Sequence, residues 1–172
     1  MNKSFLSLII VCLLAAPVFS QIKFSDETKK YIEYNDSIIV FKNGLLIDGK
    51  GNATKSHQTI IISNGKIDWV GEDAKADIPT GAKTIDLNGK TIMPGLVMLH
   101  EHMYISAHSI SPRYLNLKQL PFSFPRLYLA AGATTIRTCG SIEPYSDIRL
   151  KKDIDLGIIP GPSIELTAPY IE

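Results

Sequence analysis

The residues best suited to chemistry are two histidines, His100 and His102, with Glu101 between them. They end an apolar run that begins at Leu96 and predicts a β-strand. Because side chains alternate along a strand, the two imidazoles are expected on one face and Glu101 on the other. Imidazole nitrogens at this spacing can converge on one divalent cation at about 2 Å. By itself the His-x-His pattern more often marks two surface or core histidines that bind no metal, and its place after an apolar strand is what favours a metal site.

Strands and helices are predicted to alternate after Pro94. Helices are expected over residues 122–131, with Ser123 as the N-cap, and over residues 145–156. The predicted strands span residues 96–102, 133–139 and 163–167. This alternation is typical of βαβ units with parallel pairing and therefore of an α/β fold. The two histidines would then lie at the carboxyl end of the first strand, where α/β barrels carry their active sites.

The preceding residues, 37–93, are expected to form a small β-sandwich or barrel-like subdomain. Short segments rich in β-branched residues surround Asn-Gly pairs at 43–44, 64–65 and 88–89. Such pairs between apolar runs are typical of two-residue hairpins, because both residues tolerate a positive φ. The sequence therefore predicts a hairpin at 64–65, a turn at 43–44 and a repeat of the hairpin pattern at 88–89.

The first 20 residues predict a cleaved secretory signal peptide. Lys3 gives a positive start, residues 5–19 are almost entirely apolar, and Ser20 offers a cut before Gln21. The apolar run is shorter than the roughly 20 residues of a membrane span. Residues 21–36 are polar and are expected to form an N-terminal tether. The protein is therefore expected to be exported to the periplasm or cell exterior, without membrane attachment after cleavage.

Composition excludes several classes of protein. The chain has 172 residues, of which 45% are hydrophobic and 20% charged, a globular balance unlike that of collagens, coiled coils or disordered chains. A formal net charge of +1 argues against a nucleic-acid-binding protein, which needs a cationic surface. Only two cysteines are present, and Cys12 lies in the signal peptide, so no intrachain disulfide is expected in the mature protein.

Three segments carry a resemblance to a known family. Residues 93–102 (MPGLVMLHEH) resemble the opening metal motif of the amidohydrolase superfamily. Residues 64–71 (NGKIDWVG) and 85–95 (IDLNGKTIMPG) look like part of the β-sandwich that accompanies its barrel. Residues 131–140 (AGATTIRTCG) resemble the second barrel strand of the imidazolonepropionase-like and Xaa-Pro-dipeptidase-like branch. The resemblance runs from about residue 38 to the end and concerns the N-terminal portion of such proteins only.

The resemblance implies the start of a TIM (β/α)8 barrel, with about three strands in residues 94–172 and therefore an incomplete barrel. It implies one or two divalent ions, most often zinc, with His100 and His102 as metal ligands. The reaction would be hydrolysis of a C–N bond (amide, cyclic amide or peptide-like) by a metal-activated water, on a small-molecule or dipeptide-like substrate. Catalytic residues and further ligands are expected beyond this sequence, so the 172-residue chain is expected to be an inactive fragment by itself.

One position departs from the family pattern. Members usually carry an aspartate two residues before the first metal histidine, whereas this sequence has Met98. Strict alternation places Met98 on the face of His100 and His102, where the usual aspartate would support the site. A catalytically degenerate amidohydrolase relative and a non-enzymatic exported β-module therefore stay open as alternatives.

Three further residues are candidate substrate contacts. Tyr104 and His108 are expected in a loop at the mouth of the site, after the first barrel strand. Arg137, near the end of the second strand, could bind a substrate carboxylate through its forked donors. The alternatives are surface packing for Tyr104, a solvated loop histidine for His108 and an internal salt bridge for Arg137. A homo-oligomer of the full-length form is also left open.

Overall fold

The computed structural model describes residues 22–108 and 115–170. The predicted signal peptide lies outside these residues. Helices in the described part are α1 (Asp26–Lys29), α2 (Ser123–Ala130) and α3 (Pro144–Asp155), with a 3₁₀ turn at Asp73–Lys75. The strands are β1 (Ile38–Leu46), β2 (Lys55–Ser63), β3 (Lys66–Glu72), β4 (Lys83–Asp86), β5 (Thr91–Ile92), β6 (Leu96–Glu101), β7 (Tyr104–His108), β8 (Leu115–Gln119), β9 (Ala133–Thr138) and β10 (Ser163–Glu165).

The first five strands form one mixed sheet. Its order is β3-β2-β1-β4, and β5 also pairs with β1. Strand β2 is antiparallel to β1 and β3, whereas β4 and β5 run parallel to β1. The predicted hairpin at Asn64 and Gly65 is confirmed, since both residues have the positive φ values of a type I′ turn, 50° and 75°.

Neither of the other two Asn-Gly pairs forms a hairpin, so the turn predicted at 43–44 and the hairpin predicted at 88–89 are both wrong. Strand β1 continues through Asn43 and Gly44, where φ of Asn43 is 56° and the register with β2 shifts. A Cβ at Gly44 would lie 2.8 Å from a methyl carbon of Leu87, so a larger residue would displace that side chain. Asn88 and Gly89 do form a turn with positive φ, but the strands that it joins, β4 and β5, both pair with β1 instead of with each other.

Strands β6, β9 and β10 form a parallel sheet in the order β10-β9-β6. Helix α2 connects β6 to β9 by way of the β7–β8 hairpin, and α3 connects β9 to β10, which gives the predicted βαβ succession. The α/β class is thereby confirmed. That these strands begin a TIM barrel, and that the first sheet is part of a closed sandwich, stay predictions.

One face of the parallel sheet is covered by the helices. The buried core there consists of Met103, Ala133, Ile136, Leu150 and Ile164, with half-buried side chains of α2 and α3 packed against it. Burial of one large aliphatic side chain contributes about 1.5–3 kcal/mol, so this layer holds the helices on the sheet. The opposite face is open: on β6, Val97 is 60% exposed and Leu99 67% exposed.

Local details of two segments differ from the predictions. Phe122, not Ser123, occupies the N-cap of α2, and no side chain caps that helix. Residues 104–108 form strand β7, which pairs antiparallel with β8, in place of the predicted loop. Tyr104 and His108 therefore lie on a strand of a hairpin, and the side chain of His108 falls outside the described part. The prediction failed because short strands with mixed polar and apolar residues have a hydrophobic pattern too weak to distinguish them from a loop.

Residues 25–31 contact α2 and the turn that follows α3. Ser25 donates its backbone N–H to the carbonyl of Gly157 (3.0 Å) and its hydroxyl to the carbonyl of Ile158 (2.7 Å). The Arg126 guanidinium of α2 lies 3.1 Å from the Glu27 carboxylate. Within the ranges described, no helix is long and apolar enough to cross a membrane.

Candidate metal centre

His100 lies in a β-bulge at the carboxyl end of β6. Met98 pairs with Ile136 of β9, and Glu101 pairs with Thr138. Two residues of β6 therefore lie opposite the single β9 residue between those partners. Such a bulge adds one residue to a strand and re-aims the side chains around it, and bulges are common beside functional sites.

The bulge changes which side chains share a face. Met98 packs against the core under the helices, and the Glu101 carboxylate contacts Tyr128 of α2. Both residues therefore face the helical layer, whereas His100 is exposed on the open side. The prediction that Met98 lies on the face of His100 and His102 is wrong, because it assumed uninterrupted alternation. In this structure Met98 is an apolar side chain in an apolar environment.

The imidazole rings of His100 and His102 lie side by side. Their centroids are 5.4 Å apart and their planes meet at 85°. His102 is half-buried, and its Nδ1 is buried without a hydrogen-bond partner among the described residues. A buried polar atom without a partner is costly, and neutral imidazole nitrogen is a preferred zinc ligand. The pair therefore fits a divalent cation.

Two histidines could supply only part of a ligand set. No group of three or more His, Cys, Asp or Glu side chains within residues 22–108 and 115–170 is placed to hold a metal. A zinc site uses three or four protein ligands, so two imidazoles supply part of one.

Glu101 and Tyr128 meet behind the histidines. The Tyr128 hydroxyl lies 2.8 Å from Oε2 of Glu101 and 3.0 Å from the carbonyl oxygen of His102, so its one proton is shared between these two acceptors. Burial raises the pKa of Tyr128 above its ordinary value, and the hydrogen bond to Glu101 adds to this. The Tyr128 phenol therefore stays protonated, and it lies between the carboxylate of Glu101 and the backbone carbonyl of His102.

Tyr104 extends the site on the other side of His102. The two rings are 4.8 Å apart between centroids, and the Tyr104 hydroxyl lies 3.3 Å from that of Tyr170. Tyr170 donates its proton to the carbonyl of Cys139 (2.8 Å), so Tyr104 is the donor between the two phenols. The hydrogen bond to Tyr170, followed by burial, raises the pKa of Tyr104 to about 12. Tyr104 is therefore a neutral hydroxyl beside the histidines.

Arg137 lies on β9 opposite the bulge. It is exposed and in register with Glu165 of β10. Across the described part of the chain, no carboxylate lies within ion-pair distance of its guanidinium. The structure thus brings Arg137 to the same strand ends as the histidine pair.

Hydrogen bonds tie the carboxyl ends of β9 and β10 together. The Thr138 and Thr167 hydroxyls lie 3.1 Å apart, and Thr138 Oγ1 accepts the backbone N–H of Thr167 at 2.8 Å. Thr167 Oγ1 in turn accepts the N–H of Gly140 at 2.9 Å. These bonds fix the loop that carries Cys139 and hence the acceptor of Tyr170. Sequence reasoning missed Tyr128 and Tyr170, since each lies far along the chain from its partners and no spacing pattern links them.

Comparison with known proteins gives a partial match in sequence. No family model matches the chain. The dihydroorotase of Bacillus thuringiensis (strain Al Hakam) is 39% identical over 64 residues, which cover 37% of this chain and 14% of that enzyme. The dihydroorotase of Bacillus cereus (strain B4264) matches to the same extent. The matched segment thus covers about a seventh of the length of each curated relative.

Solved structures match over more of the chain. A candidate prolidase from Bifidobacterium longum is 26% identical with a TM-score of 0.59, and the match covers 77% of this chain and 30% of that one. An amidohydrolase is 25% identical with a TM-score of 0.56, covering 77% and 32%. A Xaa-Pro dipeptidase with methionine bound in its active site shares the fold at 24% identity, with a TM-score of 0.65 and coverages of 78% and 34%.

These structural neighbours are amidohydrolase-family proteins, so the resemblance predicted from the motifs is confirmed. The described strands and helices span about a third of the length of each neighbour.

Proposed function

We propose that this chain belongs to a metal-dependent hydrolase of the amidohydrolase type that acts on amide, cyclic amide or peptide-like C–N bonds. The observation that carries the proposal is the pair of imidazole rings of His100 and His102, 5.4 Å apart at the carboxyl end of a parallel strand. The amidohydrolase-family neighbours and the partial dihydroorotase match support the class of reaction.

His100 and His102 would hold a divalent cation, for which we propose zinc, in a centre of one or two ions. A bound cation of this kind supplies Lewis-acid chemistry, activating water and polarising a carbonyl group. The Nδ1 of His102, which has no hydrogen-bond partner in the part of the chain that the structure describes, and the exposed ring of His100 give this chain two nitrogens for such a centre. The resemblance implies that the other ligands come from later strands.

Tyr104 and Arg137 are the proposed substrate contacts, together with His108. The Arg137 guanidinium suits the carboxylate of a dipeptide-like or N-acyl amino acid substrate, because its planar fork binds carboxylates in a bidentate manner. Tyr104 offers a neutral phenol beside His102. We also propose export to the periplasm or cell exterior, which the signal-like first 20 residues support.

Metal analysis of the full-length protein tests this function. We expect near-stoichiometric zinc in the unmodified protein and its loss in His100→Ala and His102→Ala. His57→Asn is the matched control, because His57 is an exposed histidine of the first sheet at φ 53°, which asparagine tolerates. Retention of the metal in both site variants would overturn the proposal. Turnover of N-acyl amino acids, proline dipeptides or cyclic amides would then identify the substrate class.

A further inference from the structure

Neither histidine of the pair is held by a regular strand ladder. His100 lies in the bulge between the Met98 and Glu101 pairings, and β6 ends at Glu101, one residue before His102. The last backbone bond between the strands runs from the N–H of Cys139 to the carbonyl of Glu101, at 2.9 Å. Bulges and strand ends leave backbone groups outside the ladder. Contacts outside the ladder therefore contribute to the position of these two residues.

Tyr128 supplies one such contact from the helical layer. Its single hydroxyl reaches the side chain of Glu101 (2.8 Å) and the backbone carbonyl of His102 (3.0 Å). The ring itself is anchored, since it packs against the core below and lies 6.3 Å from the Phe124 ring of the same helix. One rigid donor thus holds two successive residues, one by its side chain and the other by its main chain.

We propose that Tyr128 and Glu101 form a clamp that positions the imidazole pair of His100 and His102 for metal binding. This inference rests on the proposed function and makes Tyr128 a positioning residue that does not touch the metal. Glu101, between the two ligands in sequence, acts through Tyr128 from the opposite face. Outer partners that orient metal ligands in this way are typically worth about 10–100-fold in metal affinity.

Removing one atom tests the clamp. Tyr128→Phe keeps the ring in the core and deletes only the hydroxyl. In the full-length protein, we expect the dissociation constant for Zn²⁺, measured by competition with a chromogenic chelator, to rise about tenfold. Tyr145→Phe is the matched control, because Tyr145 is 85% exposed on α3 and its loss should leave zinc affinity unchanged. A Tyr128→Phe variant with unaltered affinity would overturn the clamp.

Substitutions at Glu101 test the side-chain acceptor of the Tyr128 hydroxyl separately from its backbone acceptor at His102. Glu101→Gln keeps a carbonyl oxygen that accepts the Tyr128 hydrogen bond, so affinity should stay within about threefold of the unmodified protein. Glu101→Ala removes the acceptor and should match the loss in Tyr128→Phe. A merely structural role predicts a different pattern, in which the melting temperature falls in proportion to lost packing and zinc affinity does not move. Equal affinities for Gln and Ala at 101 would contradict the proposal.

A metal-free measurement separates failure of the clamp from failure of the proposed function. In the apoprotein, imidazole ¹H–¹⁵N spectra should show the His100 and His102 rings shifted or broadened in Tyr128→Phe and unchanged in Tyr145→Phe. Unmoved rings would refute the clamp whatever the metal content. Moved rings in a protein that never binds zinc would overturn the proposed function and leave the positioning contact standing.

Discussion

The ring of Tyr170 packs directly on the backbone of Gly140. A Cβ added to that glycine would clash with Cζ of the tyrosine ring. Gly140 also has φ 79°, a left-handed conformation that other residues adopt at a cost. The loop after β9 therefore needs glycine at position 140 both for its backbone conformation and for its contact with the Tyr170 ring. The position of the Tyr170 hydroxyl, which contacts Tyr104, depends on the same glycine.

Gly140→Ala is expected to destabilise the protein and to displace Tyr170. The left-handed backbone alone costs a residue with a Cβ about 1–2 kcal/mol, and the clash with the ring adds to this. The melting temperature of the full-length protein measures the loss. Gly81→Ala is the control, because Gly81 has φ 81° and a Cβ added there would meet nothing within 4 Å. Equal losses in the two variants would show that the Tyr170 contact contributes nothing.

Arg126→Ala is expected to release the N-terminal segment from the helices. The guanidinium side chain is only 12% exposed, pairs with Glu27 and lies 3.8 Å from the centre of the Phe122 ring. Loss of a half-buried charged hydrogen-bonding group costs about 1–3 kcal/mol. Trypsin should therefore cut within residues 22–36 at a higher rate than in the unmodified protein.

Arg149→Ala is the control for that experiment. Arg149 is 76% exposed and pairs only with Asp153 one turn along α3, among the residues that the structure describes. Exposed pairs of this kind contribute about 0.3–0.5 kcal/mol, so cleavage near the N-terminus should stay unchanged. Identical digestion patterns in both arginine variants would contradict a docking role for Arg126.

Ser141→Ala is expected to destabilise the junction between β9 and α3. The Ser141 hydroxyl donates to the buried carboxylate of Asp147 at 2.5 Å, and Gln119 donates to the same carboxylate at 3.1 Å. Leaving a buried carboxylate short of a donor costs about 1–3 kcal/mol, which thermal unfolding would detect. Ser63→Ala removes a half-buried serine hydroxyl whose 3.5 Å hydrogen bond to Asp68 is exposed to solvent, and it should have almost no effect. A comparable loss in both would rule out burial as the cause.

Asp86 should titrate below the ordinary range for aspartate. The backbone N–H of Asn88 lowers the pKa of its carboxyl most, followed by the side-chain amide of Asn43, with Lys42 contributing 3.6 Å away. Its stabilising contribution is therefore present above the unfolded pKa of about 3.9 and is lost as the pH falls through the lower folded pKa. Carboxyl NMR titration should show a rise toward the ordinary pKa in Asn43→Gly, and an unshifted titration there would refute the contact.

The sequence was sufficient for local features and insufficient where tertiary contacts decide. All three Asn-Gly pairs carry the same signal, and all three take positive φ at both or at the first position. Only the pair at 64–65 joins two strands that can pair with each other. At 43–44 the neighbouring strand continues along β1, so the same conformation becomes a bulge instead of a turn.

The candidate site shows the same division. The spacing of His100 and His102 is enough to place both rings near a strand end, because it depends on adjacent residues. The bulge depends on register with β9, and the Tyr128 contact on the packing of α2, which no short pattern encodes. The predicted position of Met98 is therefore wrong and strands β7 and β8 were not predicted, while β6, β9, β10, α2 and α3 agree with the predicted bounds to within two residues.

The bulge in β6 determines whether even-numbered or odd-numbered residues face the helices. Before it, the even-numbered Met98 faces the helices, and after it the odd-numbered Glu101 does. A regular strand with Met98 in the same place would turn both imidazoles into the apolar layer and aim the carboxylate at the open side. The one extra residue in the bulge therefore decides whether imidazoles or a carboxylate face the open side of this sheet.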